Sequence, residues 1–450
     1  MALQLNVGSL TSGSGIDVQG TVDQLMSLQR APLTQMQRQQ AALQSQASAL
    51  TNIQTKLESL QSAVQELGNF VGSLAARAVT SSQPAAISAM ATSAAAISQH
   101  QISIDHIASG SSWYSKPFQS KQTFSAGDFQ LQLGSSAPLS INVNQGDTLQ
   151  TIATTINSQN AGVTANVITD ATGSRLTVLS NNTGLANEIT ISGDTIGFEF
   201  QESASAKDAS LTVDGVPIDS ASNVMTTVIA GVTLTLNSAT QGTAILSVQR
   251  DTSQAEQAIT TFVDAYNSAI QAIGAQFHYD QMSKTSGPLA GDSTLRAIQQ
   301  TVEQAVSFEL EGNIRVSTLY DLGIRVQDDG TLLTDTQTLA SALAENSDAL
   351  QNFFQSTSPT GFASALNKTL TSILNATSGA ITVDLKGIAD TGTALQHQID
   401  DMNDRLNTEE QGLLTQFEQV DALLRSFPTT MNQIDAILAA LPSASKANSK

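Results

Sequence analysis

Four histidines are the residues of this chain best suited to acid–base or metal chemistry near neutral pH, and the sequence keeps them apart. His100 and His106 lie six residues apart in a predicted strand, which places them on one side of it but about 20 Å from each other. His278 and His397 lie far along the chain, and no cluster of carboxylates accompanies the four. Because one metal ion cannot reach both positions of one straight strand, we interpret the histidines as solvent-facing side chains.

The sequence contains none of the short motifs that carry common enzyme chemistry. It has no HExxH zinc motif, no GxSxG nucleophile elbow, no Walker phosphate loop and no dinucleotide-binding glycine fingerprint. It also has no cysteine, which excludes a disulfide, a thiolate zinc site and a cysteine nucleophile. We therefore predict no catalytic residue, no bound metal and no cofactor, and we expect that the protein is not an enzyme.

Two groups of aspartates have simpler interpretations than a metal site. Asp400 and Asp404 lie four residues apart on one face of a predicted helix, next to Asp401. We interpret them as a solvated edge of that helix or as a contact with another subunit. Asp328 and Asp329 precede a glycine, which is typical of a turn, and a calcium site there is not favoured.

Composition limits the class of protein further. The chain has 450 residues, enough for about three domains, and only 13% of them are charged. Its formal net charge of −20 would repel a phosphate backbone, so we do not expect nucleic-acid binding. The sequence has no apolar run of about 18 residues, which predicts no membrane-spanning helix. The first residues have neither a basic region nor an apolar core, so we expect any export to occur without a cleaved signal peptide.

Two apolar rows with a seven-residue period organise the chain, one near each end. An apolar row at this period keeps one face of an α-helix against a partner helix, as in a coiled coil. The row near the carboxyl end comprises Ile399, Leu406, Leu413, Val420, Phe427, Ile434 and Leu441. The row near the amino end comprises Leu43, Leu50, Leu57, Val64 and Val71. We predict that the chain leaves a helical stalk, builds further domains and returns to the stalk.

The predicted stalk helices cover Leu33–Ala76 and Ala394–Leu441. Pro32 separates the first from an earlier amphipathic segment, and Pro428 is expected to interrupt the second near its end. We expect the two ends to clasp each other or neighbouring copies through their apolar faces. The predicted interaction residues are Val22, Leu25, Leu43, Leu50, Leu57, Ile399, Leu406, Leu413, Val420, Phe427 and Ile434.

Between the two rows the pattern changes to short strands and turns. Phe129–Leu133 and Leu139–Val143 predict a hairpin, and Leu149–Asn157 predicts a short helix after it. A second hairpin is predicted from Val228–Asn237 and Ala244–Gln249.

Helical periodicity resumes after Asp251, which is a candidate N-cap. Ile381–Leu385 is predicted to be a short strand before the last helix. Trp113 lies in a loop flanked by glycine and serine, where it is either an anchor of a β-domain core or part of an exposed recognition patch.

These elements predict an α+β multidomain fold with a terminal coiled-coil stalk, a helical domain and nested β-rich head domains. A strand that returns beside an early one would make the middle of the chain an insertion. The predicted domains are a terminal coiled-coil leg domain (1–42 plus 396–450), a helical domain (43–79 plus 251–395), a β-rich head domain (80–120 plus 205–250) and an inserted β-rich head domain (121–204).

Several stretches follow one another in a recognisable order. SGID at residues 14–17 is similar to an SGLD opening, with Ile where Leu is usual, and GPLAGDSTLR at residues 287–296 is the most specific stretch. The other stretches are QRDTS at 249–253, FVDAYN at 262–267, LGI at 322–324, DGTL at 329–332 and the segment 163–192. Together they resemble the flagellar hook-associated protein 2 family of filament cap proteins, and the resemblance spans nearly the whole chain.

The resemblance implies an extracellular structural protein at the tip of a bacterial flagellum, exported through the flagellar type III channel. It implies a homo-oligomer, most often of five copies in this family, that forms a plate with legs. The legs would grip the filament, and incoming flagellin would fold and insert beneath the plate. The implied partners are further copies of the chain, flagellin and a flagellar type III export chaperone.

Three alternatives remain open at this point. A hook–filament junction protein or a divergent flagellin would also have terminal coiled coils, but those families lack the GPLAGDSTLR pattern. A tip adhesin would use residues 110–204 to bind mucin or host glycans, and this role can coexist with capping. An enzyme that clears cell wall is not supported, because the sequence shows no catalytic set.

Overall fold

The terminal helices lie side by side, and the domains between them are therefore nested. The structure is a computed structural model that describes residues 17–282, 284–357 and 360–440. From the terminal helices the chain passes through a helical domain into a β-rich domain and then into an inserted β-rich domain, and it returns in reverse order. The fold is α+β and multidomain, as predicted.

The helices form the stalk and the domain next to it. Their bounds are α1 (Val18–Gln29), α2 (Ala31–Gly68), α3 (Leu149–Ser158), α4 (Thr252–Phe277), α5 (Ser293–Val306), α6 (Thr336–Glu345), α7 (Ser347–Gln355), α8 (Phe362–Ile373) and α9 (Ala380–Ala440). With 61 residues, α9 is about 90 Å long.

Side-chain caps begin several of these helices. Asp17, Thr148, Asp251, Asp292 and Asp335 each accept a hydrogen bond from a backbone N–H of the first turn, which would otherwise lack a partner within the helix. The sequence prediction of an N-cap at residue 251 is thus confirmed. The proline that follows α1 lies in the first turn of α2, where a missing N–H breaks no helical hydrogen bond.

The strands are short, and most lie in the two β-rich domains. Their bounds are β1 (Arg77–Ser81), β2 (Ile87–Ala91), β3 (Ser98–His106), β4 (Ser112–Tyr114), β5 (Gly127–Leu133), β6 (Leu139–Val143), β7 (Val163–Asp170), β8 (Gly173–Ser180), β9 (Ile189–Ser192), β10 (Gln201–Ala204), β11 (Ala209–Val213), β12 (Val216–Ser220), β13 (Val224–Ile229), β14 (Val232–Leu236), β15 (Ala244–Arg250), β16 (Tyr279–Asp280), β17 (Thr285–Ser286), β18 (Ile324–Val326) and β19 (Leu332–Thr334).

The β-rich domain packs two antiparallel sheets over one apolar core. One sheet has the order β1-β15-β3-β11-β12 and the other the order β13-β14-β2. Buried Ile102, Leu211, Leu234 and Leu246 belong to the core between them. β3 comes early in the chain and pairs with β11 and β15, which come after the inserted domain. In this pairing, the segment between β3 and β11 is inserted into the β-rich domain.

The inserted domain has its own core, which α3 and two further sheets enclose. The sheets have the orders β10-β4-β8-β7 and β6-β5-β9. Phe198 is fully buried at the centre, where its ring contacts the rings of Phe118, Phe124 and Phe129 with centroids 5.1–5.8 Å apart. The predicted hairpin is confirmed as β5 and β6, and the predicted short helix as α3.

The helical domain is held by the largest apolar core of the described residues. α2, α4 to α8 and the first turns of α9 all contribute to it, together with the hairpin of β18 and β19. Aromatic rings fill its centre, where Phe353 and Phe362 stack with centroids 5.4 Å apart. This domain supports both the stalk and the β-rich domains.

The predicted first stalk helix ends early. It was expected to reach Ala76, but α2 ends at Gly68, and a 3₁₀ turn at Ser73–Ala75 follows. Glycine and asparagine stand at the stopping point, and both disfavour continuation of a helix. Val71 therefore lies in an exposed loop and does not extend the seven-residue row.

The predicted strand Ile381–Leu385 is wrong, because these residues form the first turns of α9. The side chain of Ile381 is buried in the helical core. Burial there outweighs the preference of β-branched residues for strands, since such propensities are weak compared with tertiary packing.

The second predicted hairpin is also wrong. Gly231, with a φ of +75°, makes a turn that divides its first strand into β13 and β14. β14 pairs with β2, whereas β15 pairs with β1 and β3, so the two predicted partners lie in different sheets. The loop between them crosses from one sheet of the β-rich domain to the other.

Two further differences concern boundaries. Pro428 lies inside α9, which continues to Ala440, so the predicted interruption does not occur. A proline removes one helical hydrogen bond but leaves those on either side available. β4 pairs with β8, so the inserted domain includes Ser112–Tyr114, and we propose that it begins there rather than at residue 121.

Candidate assembly surface on the terminal helices

The amino-terminal helix α1 packs against the middle of α9. Buried Val22 and Met26 of α1 meet buried Leu406 of α9 in a small core. Half-buried apolar side chains surround this core: Val18, Leu33, Met402, Leu413, Leu414 and Phe417. The first and last described helices therefore contact each other within one molecule.

Polar contacts fix the register of the terminal helices. The Nε2 of Gln29 donates to the Oε1 of Glu409 at 2.7 Å, and the Nη2 of Arg30 donates to the Oε2 of Glu410 at 2.7 Å. Further along, Gln40 donates to Gln396. From Arg30 to Gln40 the partners on α9 fall from Glu410 to Gln396, so α2 runs antiparallel to α9.

The proximal part of the stalk, where α9 lies against α2, is mostly closed. Leu395 and Ile399 of α9 are buried. Leu43 of α2 is half-buried and lines an open groove of about 420 Å³ between the helices, together with Leu395 and the amides of Gln39, Gln46 and Gln398. We define the proximal seam as Leu395, Ile399 and Leu406.

Beyond α1 the apolar face of α9 continues without a partner among the described residues. We define the distal stripe as the exposed residues Val420, Leu423, Phe427, Met431, Ile434, Ile437 and Leu438. Phe427 is 60% exposed and Leu423 is 66% exposed. Burial of one such side chain is worth about 1.5–3 kcal/mol, so the stripe favours association with another apolar surface.

Few charges interrupt the distal stripe. Arg425 donates from Nε to the Oδ2 of Asp421 at 2.6 Å, one turn earlier on the same helix. The two charges therefore compensate each other on α9. The remaining surface of this segment is mainly apolar and amide, which suits contact with another helix of sparse charge.

The eleven predicted interaction residues divide into three groups. Those buried within the chain are Val22, Leu50, Leu57, Ile399 and Leu406. Those half-buried are Leu25, Leu43 and Leu413, and those exposed are Val420, Phe427 and Ile434. The buried members already fill the chain's own cores, so we no longer propose them as contacts with other molecules.

The predicted set of interaction residues left out part of the distal stripe. A second apolar row, three residues behind the first, includes Leu423 and Ile437 but is broken at Thr430. Met431 and Leu438 lie four residues behind Phe427 and Ile434, and this spacing also keeps residues on one helix face. The sequence signal for these two residues was that the second apolar row continues four residues, rather than three, after members of the first row.

One histidine has a specific partner that the sequence did not predict. The Nδ1 of His100 lies 2.7 Å from the Oδ2 of Asp214, and its Nε2 lies 2.9 Å from the Oγ of Ser98. Hydrogen bonding to His100 lowers the pKa of the Asp214 carboxyl. The Ser98 hydroxyl donates to the carbonyl of Ala96 at 3.1 Å. We interpret this set as a clamp that holds the turn between β11 and β12 against β3.

The other candidate residues lie apart. His106 is exposed beside Asp105, and His278 and His397 are exposed on other elements. Within the described ranges there is no group of three His, Asp or Glu side chains that could share a metal ion. Likewise, none of the described helices is both long enough and apolar enough to cross a membrane.

Trp113 belongs to the core of the inserted domain. Its ring packs on that core half-buried, and its Nε1 donates to the carbonyl of Ile189 at 2.8 Å. Of the two alternatives, the core anchor is therefore confirmed.

Comparison with known proteins places these features in a family. The chain matches the family model "Flagellar hook-associated protein 2 N-terminus" over residues 14–111 and "Flagellar hook-associated protein 2 C-terminus" over residues 206–428. It matches "Flagellin hook IN motif" over residues 128–182. The interval between the first two matches begins where β4 begins, which supports the domain boundary proposed above.

Individual relatives match over most of their length. The chain is 30% identical over 459 residues to flagellar hook-associated protein 2 of Escherichia coli strain K12, covering 95% of this chain and 97% of the relative. It is 26% identical to A-type flagellar hook-associated protein 2 of Pseudomonas aeruginosa, covering 96% and 97%. The crystal structure of the D1-D2-D3 domains of the flagellar cap protein from Escherichia coli superposes with a TM-score of 0.59 at 29% identity, covering 76% of this chain and 99% of that one.

Proposed function

This chain belongs to the flagellar hook-associated protein 2 family, and on that premise we propose that it caps the tip of a bacterial flagellar filament. The observation that carries this proposal is the match to the Escherichia coli relative along nearly the full length of both chains. The shared architecture with a solved flagellar cap protein supports it. The protein is accordingly a structural protein that acts outside the cell.

The nested architecture suggests how the chain performs this role. The two β-rich domains have separate cores, and along the chain the helical domain lies between them and the stalk. We propose that these domains form the plate of an oligomeric cap and that the terminal helices form its legs. Incoming flagellin would fold and insert beneath the plate. Support comes from the long stalk, whose distal stripe is left exposed by the residues that the structure describes.

We propose the distal stripe as the leg surface that meets other molecules. Val420, Phe427 and Ile434 are both predicted interaction residues and exposed members of the stripe. Buried apolar area, rather than ion pairs, would provide most of the binding free energy there. The half-buried Leu43 is a second candidate, since it lines the open groove between α2 and α9.

The remaining partners follow from the family. We propose self-association, most often into a pentamer in this family, and contact with flagellin. A flagellar type III export chaperone is a further proposed partner, with export that requires no cleaved signal peptide. The distal stripe is the apolar surface that a chaperone would have to cover before assembly.

Deletion of the gene tests capping directly. Cells that lack the chain should release flagellin monomers into the medium and carry short filaments or none, while their hook–filament junctions stay in place. A plasmid copy of the chain should restore filament growth. Filaments of normal length would overturn the proposal, and loss of the junctions would instead indicate the alternative junction protein.

A tip adhesin that binds mucin or host glycans remains a second proposal. The solvent-facing side of the sheet β10-β4-β8-β7 brings the guanidinium of Arg175 to 5.8 Å from the ring centre of Tyr114, whose hydroxyl donates to Gln201 at 2.9 Å. Aromatic, amide and guanidinium groups together suit sugar rings. Glycan-array binding by the purified chain, lost in Tyr114→Ala, would support this role, and an absence of binding would refute it.

A further inference from the structure

The β-rich domain joins the helical domain through two adjacent chain crossings. One crossing lies at Ala76 and Arg77, and the other at Arg250 and Asp251. The N–H of Asp251 donates to the carbonyl of Ala76 at 3.0 Å, so the two crossings touch. Arg77, the first residue of β1, faces Arg250, the last residue of β15. Two neighbouring strands that leave a domain at one point have the geometry of a hinge.

Arg77 fastens the pivot of this hinge. Its Nη1 donates to the carbonyl of Ala75 at 2.7 Å, and its Nε donates to the carbonyl of Ala95 at 3.1 Å. Ala75 belongs to the helical side and Ala95 to the core of the β-rich domain. Partial burial, followed by the nearby charge of Arg250, lowers the pKa of Arg77. The guanidinium of Arg77 thus forms its hydrogen bonds with backbone carbonyls at the crossing.

Arg250 makes a different contact, away from the crossing. Its Nη2 donates to the Oδ1 of Asp348, in the first turn of α7. The side chain of Arg250 is 22% exposed and that of Asp348 is 90% exposed. In the part of the chain that the structure describes, this is the one hydrogen-bonded pair of side chains that joins the β-rich domain to the helical domain.

Open space lies beside this ion pair. A cleft of about 610 Å³ separates Ile97 and Gln249 of the β-rich domain from residues 343–349 of the helical domain. Arg250 and Asp348 both line it. Because the cleft is open, the β-rich domain has room to rotate about the crossings if the ion pair separates.

The junction between the β-rich domain and the inserted domain is built differently. The hydroxyl of Thr183 donates to the carbonyl of Ala221 at 2.6 Å, and the N–H of Leu185 donates to the Oδ1 of Asp208 at 2.8 Å. Gly184, with a φ of +97°, lies so close to Ala221 that a Cβ there would clash. Several hydrogen bonds and tight packing therefore join these two domains, so we expect them to move as one body.

We propose that the Arg250–Asp348 ion pair is a reversible latch that sets the angle between the β-rich domains and the helical domain. An ion pair with one fully hydrated partner is weak and is screened by salt, so it can open without unfolding either domain. The two chain crossings act as the hinge, and the β-rich domain rotates about them into the open cleft when the ion pair separates. The latch is a property of the single chain and does not depend on the capping role.

Spin labels can measure this angle, because the chain has no cysteine of its own. Lys368→Cys places one label on the exposed side of α8, and Met90→Cys places the other on exposed β2. Pulsed electron–electron double resonance then gives the distribution of distances between the two labels, one on each domain, in the full-length chain. Asp348→Asn removes the charge of the latch. Glu199→Gln is the matched control, since it removes an exposed ion pair with Lys116 inside the inserted domain.

We expect a narrow distribution for the parent chain and the Glu199→Gln control, and a broader, displaced one for Asp348→Asn. Asp348→Arg should displace it further, because two arginines would then face each other. Salt at about 1 M, where the screening length is about 3 Å, should move the parent toward Asp348→Asn. Identical distributions for the parent and both Asp348 variants, with circular dichroism showing that all are folded, would overturn the latch.

Discussion

The two halves of α9 carry similar apolar repeats but have different surroundings. The proximal seam of Leu395, Ile399 and Leu406 is buried within the chain, whereas the distal stripe around Phe427 is exposed. One helix thus changes from an internal structural element into a surface that no other described residue covers. The seven-residue apolar repeat therefore specifies which face of the helix is apolar, but it does not specify which partner covers that face.

The largest expected effect is on the free energy of unfolding, when a buried leucine and an exposed leucine are each truncated. Leu57→Ala, at a fully buried position of α2, should lower the free energy of unfolding by about 2–5 kcal/mol. Leu423→Ala, the same chemical change in the distal stripe, should change it by less than about 0.5 kcal/mol. Urea unfolding followed by circular dichroism measures both. Equal effects would show that the two regions do not differ in packing.

A smaller effect is expected on association. Phe427→Ala should weaken self-association by about 1.5–3 kcal/mol, because the truncated side chain buries less apolar area in the complex. This corresponds to roughly a tenfold to hundredfold higher dissociation constant. Sedimentation equilibrium over a range of concentrations measures it.

The control for this experiment is Leu333→Ala, which truncates an exposed leucine on the helical domain. It should leave the association unchanged. If both variants weaken association equally, the distal stripe has no special role. If neither does, the stripe does not mediate self-association under these conditions.

The smallest expected effect is on the stability of the fold, and it comes from a carboxyl group in the first turns of α9. Burial, and then the nearby Asp292, raise the pKa of Asp384 above its ordinary value. The ionised carboxylate is therefore disfavoured in the folded chain, so Asp384→Asn should stabilise the fold at pH 7, by less than about 1 kcal/mol after solvent screening.

The pH dependence gives the sign of this effect. As pH falls through the raised pKa of folded Asp384, the carboxyl becomes neutral and the advantage of the asparagine disappears. Melting temperatures of the parent and Asp384→Asn should therefore differ at pH 7 and converge in acid. A difference that grows in acid would show that the carboxylate is stabilising.

Much of the local structure could be predicted from the sequence. Alternating apolar residues located β5 and β6, and the cap residue Asp251 marked the beginning of α4. These features depend on neighbouring residues alone. The sequence analysis proposed the nested order of domains only on the condition that a late strand returns beside an early one, and β11 and β15 do pair with β3.

Features that depend on distant contacts were less predictable. Ile381 lies in a segment with a strand-like pattern, yet its burial against the helical core makes that segment helical. β14 and β15 follow each other in sequence but pair with strands from a much earlier part of the chain. At the candidate surface, the sequence identified the repeat but could not show that the described residues cover α9 as far as Phe417 and leave the distal stripe exposed.

The most direct test of the account is filament growth with a damaged distal stripe. Phe427→Ser combined with Ile434→Ser replaces two exposed apolar side chains with polar ones and touches no described core. The account predicts that the variant is exported, melts at the temperature of the parent chain and fails to cap, so flagellin monomers appear in the medium. Filaments of normal length from cells that carry only this variant would contradict it.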